Sequence, residues 1–322
     1  MTTRSDQDTA MMTVLFATHN GARWLPRVLE AFTALAPPPG GWKLIAVENA
    51  STDGTAGVLE SFVPRLPLTV LRAPGPGKNR ALNLGLTQAA GDLVVLTDDD
   101  VLPAADWLIQ LRTCADANVA YDVFGGSIRP HFEADPPEWL LRWAPLDMAY
   151  GATRPDQPSG PASPDLVWGA NMMIRRTVFD AGHRFDEQVG PIGANYGMDS
   201  ETDFTRRLVQ AGHACWFCPE AVVGHFVRRE QMTRDWLIER TARFGRGLYR
   251  REAAAGAWSG PRLLGAAPAL WRVLAGDGLR ALRAQTSRDA RWRLHTRLRL
   301  AETWGRIQES RALARQSHHR EA

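Results

Sequence analysis

Along the first hundred positions, unbroken apolar runs alternate with stretches in which apolar residues return every three or four. The run at 12–18 predicts a strand, and 22–35, with Leu25, Val28, Leu29, Phe32 and Leu35 on one face, predicts a helix. Runs at 44–47 and 68–71 predict two further strands. Between them a helix to about residue 62 can be capped by Ser51 or Thr52. Strand, helix, strand, helix, strand opens a doubly wound α/β fold. Strands that are apolar on both faces belong in the middle of a parallel sheet.

The run at 93–96, Leu-Val-Val-Leu, carries the chemistry, because Asp98, Asp99 and Asp100 follow it directly and Pro103 stops it. Ligands of open α/β sheets bind beyond the carboxyl ends of the strands. Three adjacent carboxylates repel one another, so crowding them is costly without a cation. A Mg²⁺ or Mn²⁺ ion would neutralise them and bridge to substrate phosphates; a solvated Asp-rich turn is the alternative. Upstream, 75–85 is a Gly-rich loop opening a helix, with Lys78 at the junction. Such a loop can set positive charge and backbone N–H groups on a phosphate, although the P-loop spacing is missing.

Downstream, 204–211 reads as a helix capped by Gly212, 214–218 as a strand, Pro219-Glu220 as a turn, and 221–225 as a further strand. Helices are expected at 236–251, 263–282 and 292–313, with a break at 256–261 and a frayed tail beyond Arg311. Residues 130–164 form a Pro-rich insertion with Trp139, Trp143 and Tyr150, read either as a lid that stacks rings on a sugar or as a packed insertion.

Charge divides the chain. From Arg228 onward there are 21 Arg and 9 acidic residues, against 17 basic and 26 acidic before it, so a net charge of +3 conceals an acidic body and a basic tail. Such a tail suits an anionic membrane surface, or helices packed on the domain or on another subunit. Lysine occurs only at 43 and 78. Cys114, Cys215 and Cys218 make no disulfide framework; the CxxC pair is expected to pack in a strand, and a reducing, cytoplasmic compartment fits. No apolar run approaches the roughly 20 residues that span a bilayer, and residues 1–8 carry no signal-peptide pattern.

The ordered set Thr18-His19-Asn20, Glu48-Asn49-Ala50-Ser51-Thr52-Asp53-Gly54-Thr55, Lys78 to Asn83, Asp98-Asp99-Asp100, Trp168-Gly169-Ala170-Asn171, Phe185-Asp186-Glu187 and Asp199-Ser200-Glu201-Thr202-Asp203-Phe204 resembles the family-2 glycosyltransferases. The resemblance covers roughly residues 11 to 250. It implies a GT-A nucleotide-diphospho-sugar transferase fold, a Rossmann-like mixed sheet flanked by helices, over 11–250. Residues 251–322 would be a basic, Arg/Trp-rich helical extension.

The resemblance also implies roles. Thr18, Asn20, Glu48, Lys78, Asn83, Asp98 and Asp99 would lie along the nucleotide donor; Glu48 replaces a more usual Asp, and Leu82 stands where many members carry Arg. Asp98 and Asp100 match the DxD acids, with Asp100 the favoured metal ligand, Asp99 the alternative register, and His225 a further ligand. Trp168, Gly169, Ala170 and Asn171 match the acceptor side. Glu201 takes the position of the catalytic base, with Asp199 and Asp203 as competitors; capping of a helix by these acids is the simpler reading.

Gln231 to Trp236 approaches the QxxRW motif of processive synthases with the Trp one place late, and no membrane helices accompany it. Single-sugar transfer is therefore expected, and Arg228, Arg229 and Arg234 are candidates for diphosphate contact.

The expected activity is inverting, metal-dependent transfer of one sugar from a nucleoside-diphosphate sugar to a hydroxyl of a glycan or lipid-linked glycan, in surface-polysaccharide synthesis. Mg²⁺ or Mn²⁺ is the expected cofactor, the inner face of the cell membrane a candidate location, and no nucleic-acid partner is expected. The alternatives are an idle scaffold or basic-tail adaptor, and a nucleotidyltransferase. Donor, nucleobase, acceptor and oligomeric state are not legible.

Overall fold

The computed structural model describes residues 11–190, 197–198 and 200–321, with side chains to 315. Its elements in order are β1 (Met12–Thr18), α1 (Leu25–Thr33), β2 (Trp42–Glu48), α2 (Thr55–Phe62), β3 (Leu68–Arg72), α3 (Lys78–Leu86) and β4 (Leu93–Leu96). There follow β5 (Val101–Pro103), α4 (Trp107–Ala117), β6 (Val123–Phe132), α5 (Glu138–Trp143), α6 (Leu146–Tyr150), β7 (Gly160–Ala162), β8 (Met172–Arg175) and α7 (Arg176–Asp180). The chain closes with α8 (Ser200–Gln210), β9 (Cys215–Val227), α9 (Arg234–Ala254), α10 (Pro268–Gln285) and α11 (Ala290–Glu321).

The described residues fall into two compact units: 11–131 with 151–190 and 200–226, and 132–150 with 197–198 and 227–321. The expected boundary at 250 falls within α9.

The first unit is built on a mixed sheet of order β3-β2-β1-β4-β8-β6-β9-β5, with β7 on β9. Strands β1 to β4 run parallel, and β8 is antiparallel to both β4 and β6. Alternation along the central strands sorts their side chains onto two faces. Val14, Phe16, Leu44, Ala46 and Val95 pack with Leu25, Val28 and Phe32 of α1 and Trp107 and Leu111 of α4. Leu15, Ile45, Val47, Val94 and Leu96 pack with Ala81 and Leu82 of α3, Phe179 of α7, and Phe204 and Leu208 of α8.

The strand order reverses between β1 and β4, which makes their carboxyl ends the crevice where ligands of such sheets lie. Helix α3 comes close to β1 there because position 85 is Gly. A Cβ on it would stand 2.3 Å from Leu15 Cδ1.

Three expectations are corrected. Pro219-Glu220 makes no turn, because Cys215–Val227 is one strand of 13 residues. Proline cannot donate to a ladder, but its carbonyl can accept, and Pro219 O takes a hydrogen bond from Ser127 Oγ at 2.8 Å. Ser51 and Thr52 do not cap α2; Asp53 turns the chain there, with Oδ1 accepting from Thr55 N at 3.0 Å. Cys114 of α4 and Cys218 of β9 form a disulfide across 104 residues of sequence, against the expectation of none. No local spacing announces this pairing, because the fold alone lays α4 over β9. Cys215 and Cys218 sit three residues apart on a strand and therefore point to opposite faces, Cys215 into one cluster and Cys218 into the other. Cys215 stays a free, buried thiol that burial pushes up to about 11.

The second unit is helical. Leu140, Tyr150, Leu237, Leu294 and Leu298 form its first core cluster. Tyr150 stacks on Trp236 at 5.4 Å, so the tyrosine of the Pro-rich insertion packs here. Ion pairs tie α11 to its neighbours. Buried Glu309 meets Arg250 at 2.5 Å and Arg246 at 3.4 Å, and Arg306 reaches Glu252 at 3.0 Å. Buried Asp277 accepts from Thr303 Oγ1 at 2.9 Å and meets Arg280 at 2.8 Å. No described helix is long and apolar enough to cross a membrane.

Candidate functional site

The carboxyl ends of β1, β2 and β4 carry the polar residues singled out in the sequence. At the end of β1, Thr18 Oγ1 donates to Asp99 Oδ2 at 2.5 Å. The β1–β4 pairing of Leu15 with Leu96 puts these two residues level with each other. Asn20 takes a left-handed φ of 53°. It links two loops: its N–H donates to Ser51 Oγ at 3.0 Å, and its Oδ1 accepts from Thr52 N at 2.9 Å. Glu48 is buried at the end of β2 and accepts from Ser51 N. These contacts give the β1 and β2 turns a shared frame.

Lys78 opens α3 and reaches across the strand ends. Its Nζ donates to Asp98 Oδ1 at 2.6 Å and also to Glu201 Oε1. Burial disfavours the ammonium, but Asp98 and Glu201 outweigh it and hold Lys78 protonated well above its ordinary range. Burial likewise disfavours the Glu201 carboxylate; Lys78 overrides it, and the pKa falls to about 2. Glu201 lies in the first turn of α8, and its Oε2 accepts from Ser200 Oγ at 2.8 Å. The helix begins at Ser200, earlier than the sequence reading placed it. It closes at Gly212, whose φ is 97°.

The other two carboxylates of the run are held differently. Burial, together with the charges of Asp100 and Asp98, pushes Asp99 up to about 7 despite the Thr18 hydrogen bond. Asp100 Oδ1 lies 3.2 Å from His225 Nε2, and its carbonyl accepts from Phe226 N at 2.8 Å. The β5–β9 ladder sets this contact by pairing Val101 with His225. Among the described residues no three His, Cys, Asp or Glu side chains gather into a ready-made metal group.

The segment read as acceptor-facing splits in two. Gly169 lies against Glu201: a Cβ there would stand 2.5 Å from Glu201 Cγ. Trp168 is partly exposed beside it, and the Ala170 carbonyl accepts from Thr97 Oγ1 at 2.8 Å. Asn171 is wholly buried and bonds Ser127 O, Ala221 O and Trp107 Nε1, each at 2.9 Å. It ties β6, β9 and α4 together.

Asn83 also turns away from the strand ends. Its amide bonds Phe185 O at 2.9 Å and Phe185 N at 3.1 Å. Asp203 pairs with Arg207 at 3.0 Å within α8. Asp199 lies outside the described residues. Arg228 N–H donates to Gln231 Oε1 at 2.8 Å, and Arg229 N–H to Glu133 Oε2 at 2.9 Å.

The sequence reading missed three contributors. Ser200 orients Glu201. Thr97 fixes the 168–171 segment. Asn79, also buried, donates to the carbonyls of Asp186 and Val189 at 2.7 and 2.9 Å and anchors the 186–189 loop on α3. A small polar residue beside each recognised motif was the available signal.

The strand-tip cluster thus brings together Thr18, Lys78, Asp98, Asp99, Asp100, Gly169, Glu201 and His225. It offers carboxylates for a cation, an ammonium for an anion, and one carboxylate on a separate helix.

Comparison with known proteins points the same way. A model of glycosyl transferase family 2 matches residues 13–182. Glycosyltransferase AglE of Haloferax volcanii is 22% identical over 219 residues, 67% of this chain and 67% of that protein. Among solved structures, the Pyrobaculum calidifontis mannosyltransferase PcManGT, in complex with GDP-Man and Mn2+, aligns with a TM-score of 0.63 at 20% identity, over 92% of this chain and 86% of that one. Staphylococcus aureus TarS 1-349 with UDP-GlcNAc aligns with a TM-score of 0.52 at 14% identity, over 96% and 92%. In sequence, TarS is 30% identical over 91 residues, which are 27% of this chain and 16% of the full protein.

Proposed function

The chain belongs to glycosyl transferase family 2, and from that membership we propose that it is an inverting, metal-dependent enzyme that moves one sugar from a nucleoside-diphosphate donor to a hydroxyl of a glycan or lipid-linked glycan. One observation supports this reading above the rest: a single ammonium, Lys78, lies between a strand-tip aspartate, Asp98, and the helix-borne Glu201. Donor-side and acceptor-side groups of the reaction would then meet in one cluster.

Inversion needs a base on the face of the sugar opposite the leaving diphosphate. Glu201 is the proposed base, taking the proton of the acceptor hydroxyl as its oxygen attacks the anomeric carbon. Gly169 leaves room for that side chain, and Ser200 fixes its second oxygen.

A base held at about pKa 2 by Lys78 is weak. A donor diphosphate would compete for the same ammonium, draw it off Glu201 and restore the basicity that the transfer requires. Donor binding would thus prepare the base, which makes donor-first order the expectation.

Asp100, Asp98 and His225 would hold a divalent cation. The donor set fits: Mg²⁺ and Mn²⁺ sites of this kind use one or two carboxylates and take remaining ligands from substrate phosphates, and His225 Nε2 already lies 3.2 Å from Asp100 Oδ1. Burial first, and then the charges of Asp100 and Asp98, lift Asp99 to about 7; such an ion would relieve the second of these. Once bound, the ion would stabilise the negative charge that develops on the departing diphosphate. The basic helices of the second unit would face an anionic membrane surface carrying the acceptor.

Calorimetric titration with UDP, GDP and dTDP, each with and without Mn²⁺, tests the donor half on wild type and Asp100→Ala. One nucleotide is expected to bind with metal dependence and to lose it in the variant. If none binds under any condition, the donor site is idle and a scaffold role takes its place.

A further inference from the structure

The second unit holds a cleft of about 200 Å³ lined by Arg234 at the start of α9, Ala281 and Gln285 of α10, and Arg293, Leu294 and Arg297 of α11. Clefts for drug-sized ligands run to roughly 300–1,000 Å³, so this one suits a single small group rather than a sugar nucleotide.

Its three arginines differ from six that are tied to carboxylates elsewhere in the unit. Arg243, Arg246, Arg250, Arg280, Arg299 and Arg306 all meet carboxylates. Arg234 lies over the Trp139 ring at 5.4 Å, and Arg293 donates to the Ser287 carbonyl. No carboxylate pairs with Arg234, Arg293 or Arg297 among the described residues. Three guanidinium groups around one small space repel each other until an anion joins them, and their planar forks match phosphate oxygens.

We propose that this cleft is a phosphate-binding site. Its lipid assignment rests on the membrane-facing half of the proposed function, and the site itself is independent of the donor site. The phosphate could be a lipid headgroup or a soluble anion. Exposed apolar residues nearby favour the lipid: Leu279 and Leu282 on α10 are 58% and 60% exposed, and Trp292 on α11 is 40% exposed. Basic residues beside exposed leucine and tryptophan are what an interfacial helix presents to an anionic bilayer.

The test is sedimentation with phosphatidylcholine vesicles, plain or part-substituted with phosphatidylglycerol, and calorimetry with inorganic pyrophosphate. The variants are Arg293→Ala/Arg297→Ala, the charge-matched control Arg272→Ala/Arg283→Ala outside the cleft, and Arg293→Lys/Arg297→Lys, with circular dichroism and melting temperature confirming the fold. Each basic residue near an anionic surface contributes about 1 kcal/mol. The cleft alanine pair is therefore expected to weaken binding to anionic vesicles by about tenfold or more, the control by clearly less, and the lysine pair to recover only part of the loss. That outcome assigns the lipid.

Pyrophosphate binding that the cleft pair abolishes, without vesicle binding, keeps the site and assigns a soluble anion. Equal losses in cleft and control variants, or no binding of either probe to wild type, overturn the proposal. UDP and GDP titrations of the same variants keep the two readings apart, because a failed donor site leaves the vesicle result untouched.

Discussion

Lys78 connects the chemistry at the residue scale, since its ammonium neutralises Asp98 and Glu201 at once. Lys78→Met should leave two carboxylates facing each other. Because the folded-state pKa of Glu201 is depressed, its stabilisation is present above the ordinary carboxylate range and is lost as pH falls toward 2. Urea titrations at neutral and strongly acid pH should therefore show a smaller acid-induced loss in Lys78→Met than in wild type. Asp99 has the opposite sign: its folded-state pKa is raised, so the folded state binds the extra proton and stability declines as pH climbs from about 4 to about 7. Mn²⁺ should accordingly raise the melting temperature more at pH 8 than at pH 5; an equal shift would count against a cation at these carboxylates. Glu201→Gln should lower turnover by about 10²–10⁴-fold, the usual contribution of a general base, while calorimetric nucleotide binding stays nearly unchanged. Individual residues were only partly legible in the sequence. Motif order flagged Asp98, Asp100 and Glu201, but a motif does not say where a side chain points. Asn171 and Asn83 carry matched motif positions yet turn to backbone groups that only the folded chain brings near.

At the scale of elements, two glycines admit close contacts, Gly85 between α3 and β1 and Gly169 against Glu201. Gly85→Ala would drive a methyl into Leu15 at the α3–β1 contact and should destabilise the fold by about 1–3 kcal/mol, the typical cost of overpacking. Denaturant midpoints would measure it. Gly169→Ala presses instead on the Glu201 side chain, whose flexible end can give way. It should spare stability more than Gly85→Ala while reducing turnover by about tenfold or more through misplacement of the proposed base. The parallel strands and their helices were readable because double-sided apolar runs and helical periodicity are local signals. Strand β9 was not, since Pro219 looks like punctuation and becomes a strand residue only when β6 supplies a donor to its carbonyl.

For the whole molecule, the Cys114–Cys218 bond closes a loop of 104 residues that contains β6, β8 and α8. Reduction, or Cys114→Ala/Cys218→Ala, should lower unfolding stability by about 2–4 kcal/mol, measured by urea denaturation with and without a phosphine reductant. A difference near zero would mean the two thiols merely lie close together. The charge division was plain in composition, yet its use was not. Arg246, Arg250, Arg280, Arg299 and Arg306 turn to Glu309, Asp277 and Glu252, and three others line the cleft.

The scarcity of lysine gives the chain a built-in reporter. Lys78 and Lys43 are the only side-chain amines it has. Burial lowers the pKa of Lys43, while two carboxylates keep Lys78 protonated. An acylating reagent should therefore modify Lys43 well before Lys78, and mass spectrometry of the digested protein would read the two sites separately. Adding the correct nucleotide should alter the acylation rate at position 78 against an unchanging signal at position 43, so a chemical footprint of one residue could screen donors without any assay of sugar transfer.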